Sequence, residues 1–405
     1  MPVVSGYTQF GGAHAETASL TNVLAAAGVR NPHTGAPYSE ALLLGIGGGL
    51  GAGYILWEFQ EHQTKVLVLG FHNNWQYPTR YYQTLCDRIG VTIAMLETGS
   101  RKAAGEMLDK ALANDRAAVA WVDRAHLPYL QLPEAMKGHI GHFAAICGVD
   151  GTDVLIDDRA AAPYRVPSDI LVDARARIGS YENRLLLVES ETPTDLVNAV
   201  NAGLHAFVDH LSSDSDSFSL PTLRKWGRMM TDEKHKKGWL TVFKDTRGLY
   251  GTLRSAFEAV ELDNGGGGLR DVYATFLEEA AEVTGNDSLT ESAQHYRDLA
   301  ARWTRLAEAM LPDEVEPLRE TKSLVRERHA VLMQGGDAWQ TTKPITDQLR
   351  KMGSELNLDF PMDDAGIKRL FEAIQSHIWE VYEAEVTALA ALKRRIGEAR
   401  RFGDK

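Results

Sequence analysis

The sequence predicts an α+β protein, mixed over residues 1–192 and all-helical over residues 193–405. Two observations carry this. Up to about residue 190, short apolar runs of strand length alternate with stretches whose apolar residues recur at helical spacing. From Pro193 onward long helical patterns take over and strand signals almost vanish. Size agrees: 405 residues at roughly 150 per domain suggest two or three domains. With 44% apolar and 24% charged residues, the chain can bury real cores. A net charge of −12 argues against nucleic acid or an anionic membrane surface as a partner. No apolar run reaches the roughly 20 residues that span a bilayer, and no basic-then-apolar signal segment opens the chain. Cys86 and Cys147 are the two cysteines. They make no disulfide framework, which fits a reducing cytoplasm as the expected location.

The elements follow in order. Leu20, Val23, Leu24 and Ala27 share one face of a first helix, which Gly28 stops. A turn-rich loop, 31–37, precedes a second helix over 39–44, with Ser39 as its cap. A glycine run, 45–53, comes next. Strands are expected over 65–71, 91–96, 117–122 and 185–188, and helices over 77–89 and 103–113. Segments 142–149 and 153–158 read as a hairpin across Asp150-Gly151, a pair that favours tight turns. In the second half, helices are expected over 196–210, 249–260, 271–283, 292–310 and 367–395.

The chemistry concentrates just ahead of the first helix, in Gln9-Phe10-Gly11-Gly12-Ala13-His14-Ala15-Glu16-Thr17. Gly11 and Gly12 allow a tight backbone turn. Residue 15 then stands at the positive end of the helix dipole, beside unpaired N–H groups. Papain-like enzymes keep their cysteine at such a position, where the dipole helps form a thiolate. Gln9, six residues earlier, has the place of an amide that donates to an oxyanion. The nucleophile itself is missing, because residue 15 is Ala.

His142 opens one hairpin strand and Asp158 ends the other, so the two can lie side by side as a base and the carboxylate that orients it. Strand alternation sends Asp157 to the opposite face. Cys147, mid-strand and at an odd offset from His142, is expected to face away from it and to be buried. Cys86 reads as core. The run Gly47-Gly48-Gly49-Leu50-Gly51-Ala52 fits a degenerate dinucleotide loop, but a helix rather than a strand precedes it and no acidic residue ends the next strand. Two readings remain: a close-packed turn, or a substrate-pocket wall where a ligand meets main chain. His377 and Glu380 fall short of a metal ligand set. Lys225, Arg228, Lys234, His235, Lys236 and Lys237, with Trp226 and Trp239 beside them, form a basic cluster: a solvated face, or a dock for an acidic partner.

On these residues the chain resembles the butirosin biosynthesis protein H family. His14-Ala15 stands where that family has His-Cys, followed by a small-residue helix with Asn22-Val23-Leu24. Ser39-Glu40-Ala41 through Tyr54, Trp121-Val122-Asp123, Leu127-Pro128-Tyr129, His142 and Asp158 continue the match. The second half resembles the helical domain of unknown function that accompanies it, around 266–281 and Trp303.

The resemblance implies a papain-like cysteine-peptidase or acyltransferase fold with a C-terminal helical domain. It implies acyl transfer from a carrier protein or other thioester to a small-molecule amine. The expected catalytic set is position 15, His142, Asp158 and Gln9, with Gly47, Gly48, Gly49, Tyr54 and Tyr129 as substrate contacts. No metal or organic cofactor is expected. An acyl carrier protein is the expected donor partner, and homo-oligomerisation stays open. As it stands the chain is read as inactivated at residue 15. The rivals are a cysteine hydrolase on the same site and a natural binding homologue without catalysis.

Overall fold

The computed structural model describes residues 3–59 and 64–403. The order is α1 (Ala15–Ala26), α2 (Glu40–Ile46), β1 (Leu50–Phe59), β2 (Thr64–His72), α3 (Pro78–Arg88), β3 (Val91–Leu96), α4 (Arg101–Ala113), β4 (Ala118–Asp123), β5 (Gly141–Asp150), β6 (Asp153–Asp157), β7 (Tyr164–Pro167), α5 (Ser168–Ala176) and β8 (Leu185–Glu191). Helices follow: α6 (Leu196–Leu211), α7 (Pro221–Thr231), α8 (Trp239–Val242), α9 (Leu249–Glu261), α10 (Arg270–Thr284), α11 (Ser288–Met310), α12 (Glu316–Leu332), α13 (Lys343–Leu358) and α14 (Asp364–Gly403). The protein is α+β, and its strands among the described residues end at Glu191. Among these residues no helix is long and apolar enough to cross a membrane.

Two compact units divide the chain, and both are assembled from separated stretches. One comprises Met1–Leu43, Tyr82–Leu196 and Arg328–Thr346; the other comprises Leu44–Tyr81, Val197–Glu327 and Asp347–Lys405. Residue 192 therefore marks where strand gives way to helix, while the units themselves interleave.

The first unit is built on an antiparallel sheet ordered β3-β8-β4-β5-β6-β7. β4 lies inside it, and all six of its residues are buried. Side-chain alternation feeds two cores. Ala118, Ala120 and Val122 join Ala144, Ile146, Ile156, Leu171 and Ala174 on the α4–α5 side. Trp121 goes to the other side, where its ring centroid is 5.4 Å from Tyr82 and 5.1 Å from Phe143. These edge-on pairs add about 0.5–1.5 kcal/mol each to the area they bury. α1 packs against β5.

The second unit gathers the β1–β2 hairpin with the long helices. α11 packs on both α10 and α14, and α7 also packs on α14. Arg270 and Glu385 form a fully buried ion pair at 2.7 Å. Trp303 Nε1 donates to the same carboxylate at 3.0 Å, and Arg270 also donates to the Gly268 carbonyl at 2.6 Å. The Arg270 and Trp303 contacts to Glu385 all converge on its Oε1, while its Oε2 is buried without a hydrogen-bond partner, so breaking the pair from either side is costly.

The glycine run, which links α2 to β1, belongs to this core. A Cβ on Gly45 would sit 2.1 Å from the Phe276 ring, on Gly47 2.5 Å from Tyr81, on Gly48 2.6 Å from Asn73, and on Gly49 2.6 Å from Tyr273. Gly53 and Gly70 are paired across the hairpin, and the Trp75 indole lies over both of them. A preceding helix and this packing dispose of the dinucleotide reading.

Candidate functional site

The turn before α1 needs its glycines. Gly11 has φ +90° and Gly12 φ +143°, and a Cβ on Gly12 would lie 2.2 Å from that of Ala18. His14 is the N-cap, but its side chain does not cap the helix. The carboxylate of Glu40, at the start of α2, holds the turn just ahead of the helix instead. Its Oε2 accepts the Ala13 N–H at 2.8 Å, and its Oε1 accepts the His14 N–H at 3.0 Å and the Thr17 hydroxyl at 2.6 Å. α2 begins there because Ser39 Oγ accepts the Leu42 N–H at 2.9 Å. Ala15, the first residue of α1, is 8% exposed. Gln9 is half-buried on the approach to the turn.

The hairpin register pairs Ala145 with Asp157 and Ile146 with Ile156. His142 and Asp158 are thus diagonal neighbours on one side, and His142 Nε2 lies 2.7 Å from Asp158 Oδ2. Both side chains are buried, at 7% and 1% exposure. Burial alone would raise the Asp158 carboxyl. The His142 ring, Arg159 and the Tyr129 hydroxyl outweigh it and hold the group well below the usual carboxylate range. Arg159, with Nε 3.4 Å from Asp158 Oδ1, adopts φ +64° just past β6. That left-handed conformation is unfavourable for a non-glycine residue and swings the chain away immediately after the carboxylate.

Asp157 faces the other way, toward α1. Tyr7 donates its hydroxyl to Asp157 Oδ2 at 2.6 Å, and Asn22 Nδ2 donates at 2.7 Å. The same Asn22 amide donates to the Gly11 carbonyl at 3.1 Å. Successive carboxylates thus hold the two halves of the candidate site, one gripping His142 and the other the loop that carries Gln9. Burial pushes the Asp157 carboxyl up, and the adjacent Asp158 charge adds to it; against the pull of Tyr7 and Asn22 it settles at about 6.

Tyr181 adds a further link. Its hydroxyl lies over Gly141, 1.7 Å from where a Cβ would be, so residue 141 has to be glycine unless the tyrosine moves. Burial and then the Glu16 charge raise this phenol to about 12, despite Arg184. One ring therefore touches the residue before His142 and feels the first turn of α1. The two cysteines stand apart from this chemistry. Cys147 sits where the β5–β6 register shifts, is fully buried, and donates to the Leu155 carbonyl at 3.4 Å. Burial, then Asp157, raises its thiol; burial, then Asp87, raises that of Cys86. Neither is poised as a nucleophile.

The residues expected to touch substrate have these surroundings. Tyr129 is fully buried; its hydroxyl donates to Asp158 Oδ2 at 2.9 Å and its ring stacks on Tyr164 at 3.8 Å. It supports the carboxylate from behind. The side chains nearest Gly47, Gly48 and Gly49 are Tyr81, Asn73 and Tyr273, the packing of a close turn. Tyr54 is buried, stacks on Trp226 at 5.4 Å and accepts from Trp239 Nε1 at 2.9 Å. The tryptophans beside the basic cluster are therefore core residues, while Lys234, Lys236 and Lys237 are exposed. His377 Nδ1 lies 3.6 Å from Glu380, a helix-surface pair. Glu40 and Arg159 went unassigned in the sequence. Only the Ser39-Glu40-Ala41 match hinted at the first, and nothing local marks the second.

Residues 14–159 match the family model described as butirosin biosynthesis protein H, N-terminal. Residues 223–349 match a domain of unknown function, DUF4872. Ala15, His142 and Asp158 all fall inside the first match. No curated protein sequence matches the chain.

Proposed function

We propose that this chain, which belongs over its N-terminal domain to the butirosin biosynthesis protein H family, has the scaffold of a papain-like acyltransferase of natural-product biosynthesis. The observation that carries this reading is the buried His142–Asp158 pair at 2.7 Å, supported by a helix N-terminus at residue 15. Because the carboxylate engages Nε2, it holds the ring so that Nδ1 can serve the reacting group.

With Ala15→Cys the steps balance as follows. His142 Nδ1 takes the thiol proton, and the thiolate adds to the carbonyl of an acyl thioester. Gln9 and the N–H of residue 15 stabilise the oxyanion. The C–S bond of the donor breaks, and its thiolate leaves with the proton held by His142. An amine then attacks the acyl-enzyme, His142 accepts its proton, and that proton returns to the departing cysteine sulfur as the amide forms. The donor is a thioester, presented by an acyl carrier protein, and the acceptor a small-molecule amine. Water in place of the amine makes the same site a hydrolase. Cytoplasmic location belongs to this proposal, supported by two free, buried thiols.

The second reading is a binding protein without catalysis, and Ala15 itself favours it for the chain as it stands. The test incubates Ala15→Cys with a small acyl thioester, with and without a primary amine. An intact-protein mass increase by one acyl group, discharged as amide when amine is present, supports acyl transfer. Discharge to acid alone supports the hydrolase. No adduct at residue 15 leaves the binding protein.

A further inference from the structure

We propose that Glu40 is the positioning residue of the turn that carries residue 15, and that its charge keeps a nucleophile there protonated until His142 takes the proton. The inference rests on the acyl-site reading for its function, but its physical content can be tested without any substrate.

The geometry is specific. A helix start leaves its first N–H groups without intrahelical carbonyls, and those at residue 15 and beyond are the ones an oxyanion can use. Glu40 takes the two N–H groups just ahead, at Ala13 and His14, with one oxygen each, and ties Thr17 to the same carboxylate. The turn is thereby clamped at both sides of position 15 without occupying the N–H of residue 15 itself. Gly12 is part of the same clamp, since a Cβ there would come within 3.1 Å of Glu40 Oε2. The acid arrives from a different helix, so the clamp also fixes α1 relative to α2.

The electrostatic consequence opposes the ordinary one. A helix N-terminus lowers the pKa of a thiol, but a carboxylate beside it raises that pKa again. Glu16, in the first turn of α1, has the same sign, although His14 Nε2 lies 2.9 Å from it. The other titratable and charged groups around the turn are His14 itself, Tyr181, which feels Glu16, Asp157, tied to the Gly11 carbonyl through Asn22, and the His142, Asp158 and Arg159 side chains of the β5–β6 hairpin. Of these only Arg159 and a protonated His14 or His142 carry the sign that favours a thiolate; Arg159 is engaged by Asp158 and His14 by Glu16, which leaves His142. The nucleophile would therefore form as an ion pair with His142, in step with catalysis.

The experiment compares Ala15→Cys with Ala15→Cys/Glu40→Gln by the pH profile of iodoacetamide alkylation and by the rate of acylation from a small thioester. Removing the charge should lower the thiol pKa by about one to two pH units, the Coulomb effect of a unit charge within about 7–10 Å at an effective dielectric of about 20. Alkylation at acidic pH should rise about tenfold or more. Acylation should fall, because a glutamine amide nitrogen cannot accept the second N–H. Thr17→Val, which disturbs the cluster without changing its charge, should move the thiol pKa by no more than a few tenths. In the chain with Ala15, Glu40→Gln should speed amide exchange at Ala13 or His14. An unmoved or raised thiol pKa, a parallel fall of alkylation and acylation, or unchanged exchange at both amides would overturn the proposal. If the thiol titrates as expected yet no thioester ever acylates it, the acyltransfer reading fails and the assignment of Glu40 stands.

Discussion

Asp157→Asn isolates a cost that the fold carries. The Asp157 side chain is 1% exposed, and its carboxyl lies at about 6 against an ordinary 3.8. Burial is the largest cause and the neighbouring Asp158 charge adds to it, while Tyr7 and Asn22 pull the other way. The folded chain thus binds a proton more tightly than the unfolded chain. Stability accordingly falls as pH rises from 3.8 to about 6 and is level above that. At about 1.4 kcal/mol per pH unit the difference amounts to about 3 kcal/mol. Asp158 behaves oppositely: its held-down carboxyl contributes stability above 3.8 that is lost as pH falls below it, so the two windows do not overlap. Asparagine is nearly isosteric and its carbonyl can accept from both Tyr7 and Asn22. Asp157→Asn should therefore match or exceed the parent chain by about 1–3 kcal/mol at pH 8, and the difference should shrink toward pH 4. Hydrogen exchange of β5 and β6 amides, corrected for intrinsic rates, measures this within the unit that contains the residue. A variant less stable at pH 8, or two curves parallel from pH 4 to 8, would refute the reasoning.

Tyr129→Phe removes one hydrogen bond to Asp158, at a cost of about 1 kcal/mol. In the Ala15→Cys background it should slow acylation while leaving the half-saturating concentration of a small thioester unchanged; a change in that concentration alone would return Tyr129 to the substrate. Gly47→Ala places a methyl 2.5 Å from the Tyr81 ring and should lower the unfolding midpoint by the equivalent of about 1–3 kcal/mol, with thermal melts as the check. Glu385→Gln leaves Arg270 as a buried, uncompensated charge and should cost about 3–5 kcal/mol; replacing Arg270 and Glu385 together by apolar residues should recover much of that loss.

What was legible follows from the range of each interaction. The hairpin carrying His142 and Asp158 could be read because its period of two and its Asp-Gly turn are local. The start of α1 could be read from Gly11-Gly12, which the turn demands. β1 was hidden: Gly51 and Gly53 dilute its strand signal, and they are there because His72 and Trp75 press against them, a long-range cause. α12 and α13 were missed because their charged residues are at least as numerous as the apolar ones that mark a buried face. The direction of the Tyr129 phenol could not be read from a Leu-Pro-Tyr match. Nor could the interleaving of the two units, where stretch 328–346 joins the first by contacts such as Tyr164 to the Leu332 carbonyl, 168 residues apart in sequence.

In the proposed mechanism a thiol at position 15 works with His142. Single-turnover acylation by a small thioester, followed by intact mass, measures it in Ala15→Cys, Ala15→Cys/His142→Ala and Ala15→Cys/Cys147→Ala. The first and third should acylate rapidly, and the second should lose about a hundredfold or more, the scale of a missing general base. Acylation that survives His142→Ala unchanged, or that vanishes with Cys147→Ala in a folded chain, would contradict it.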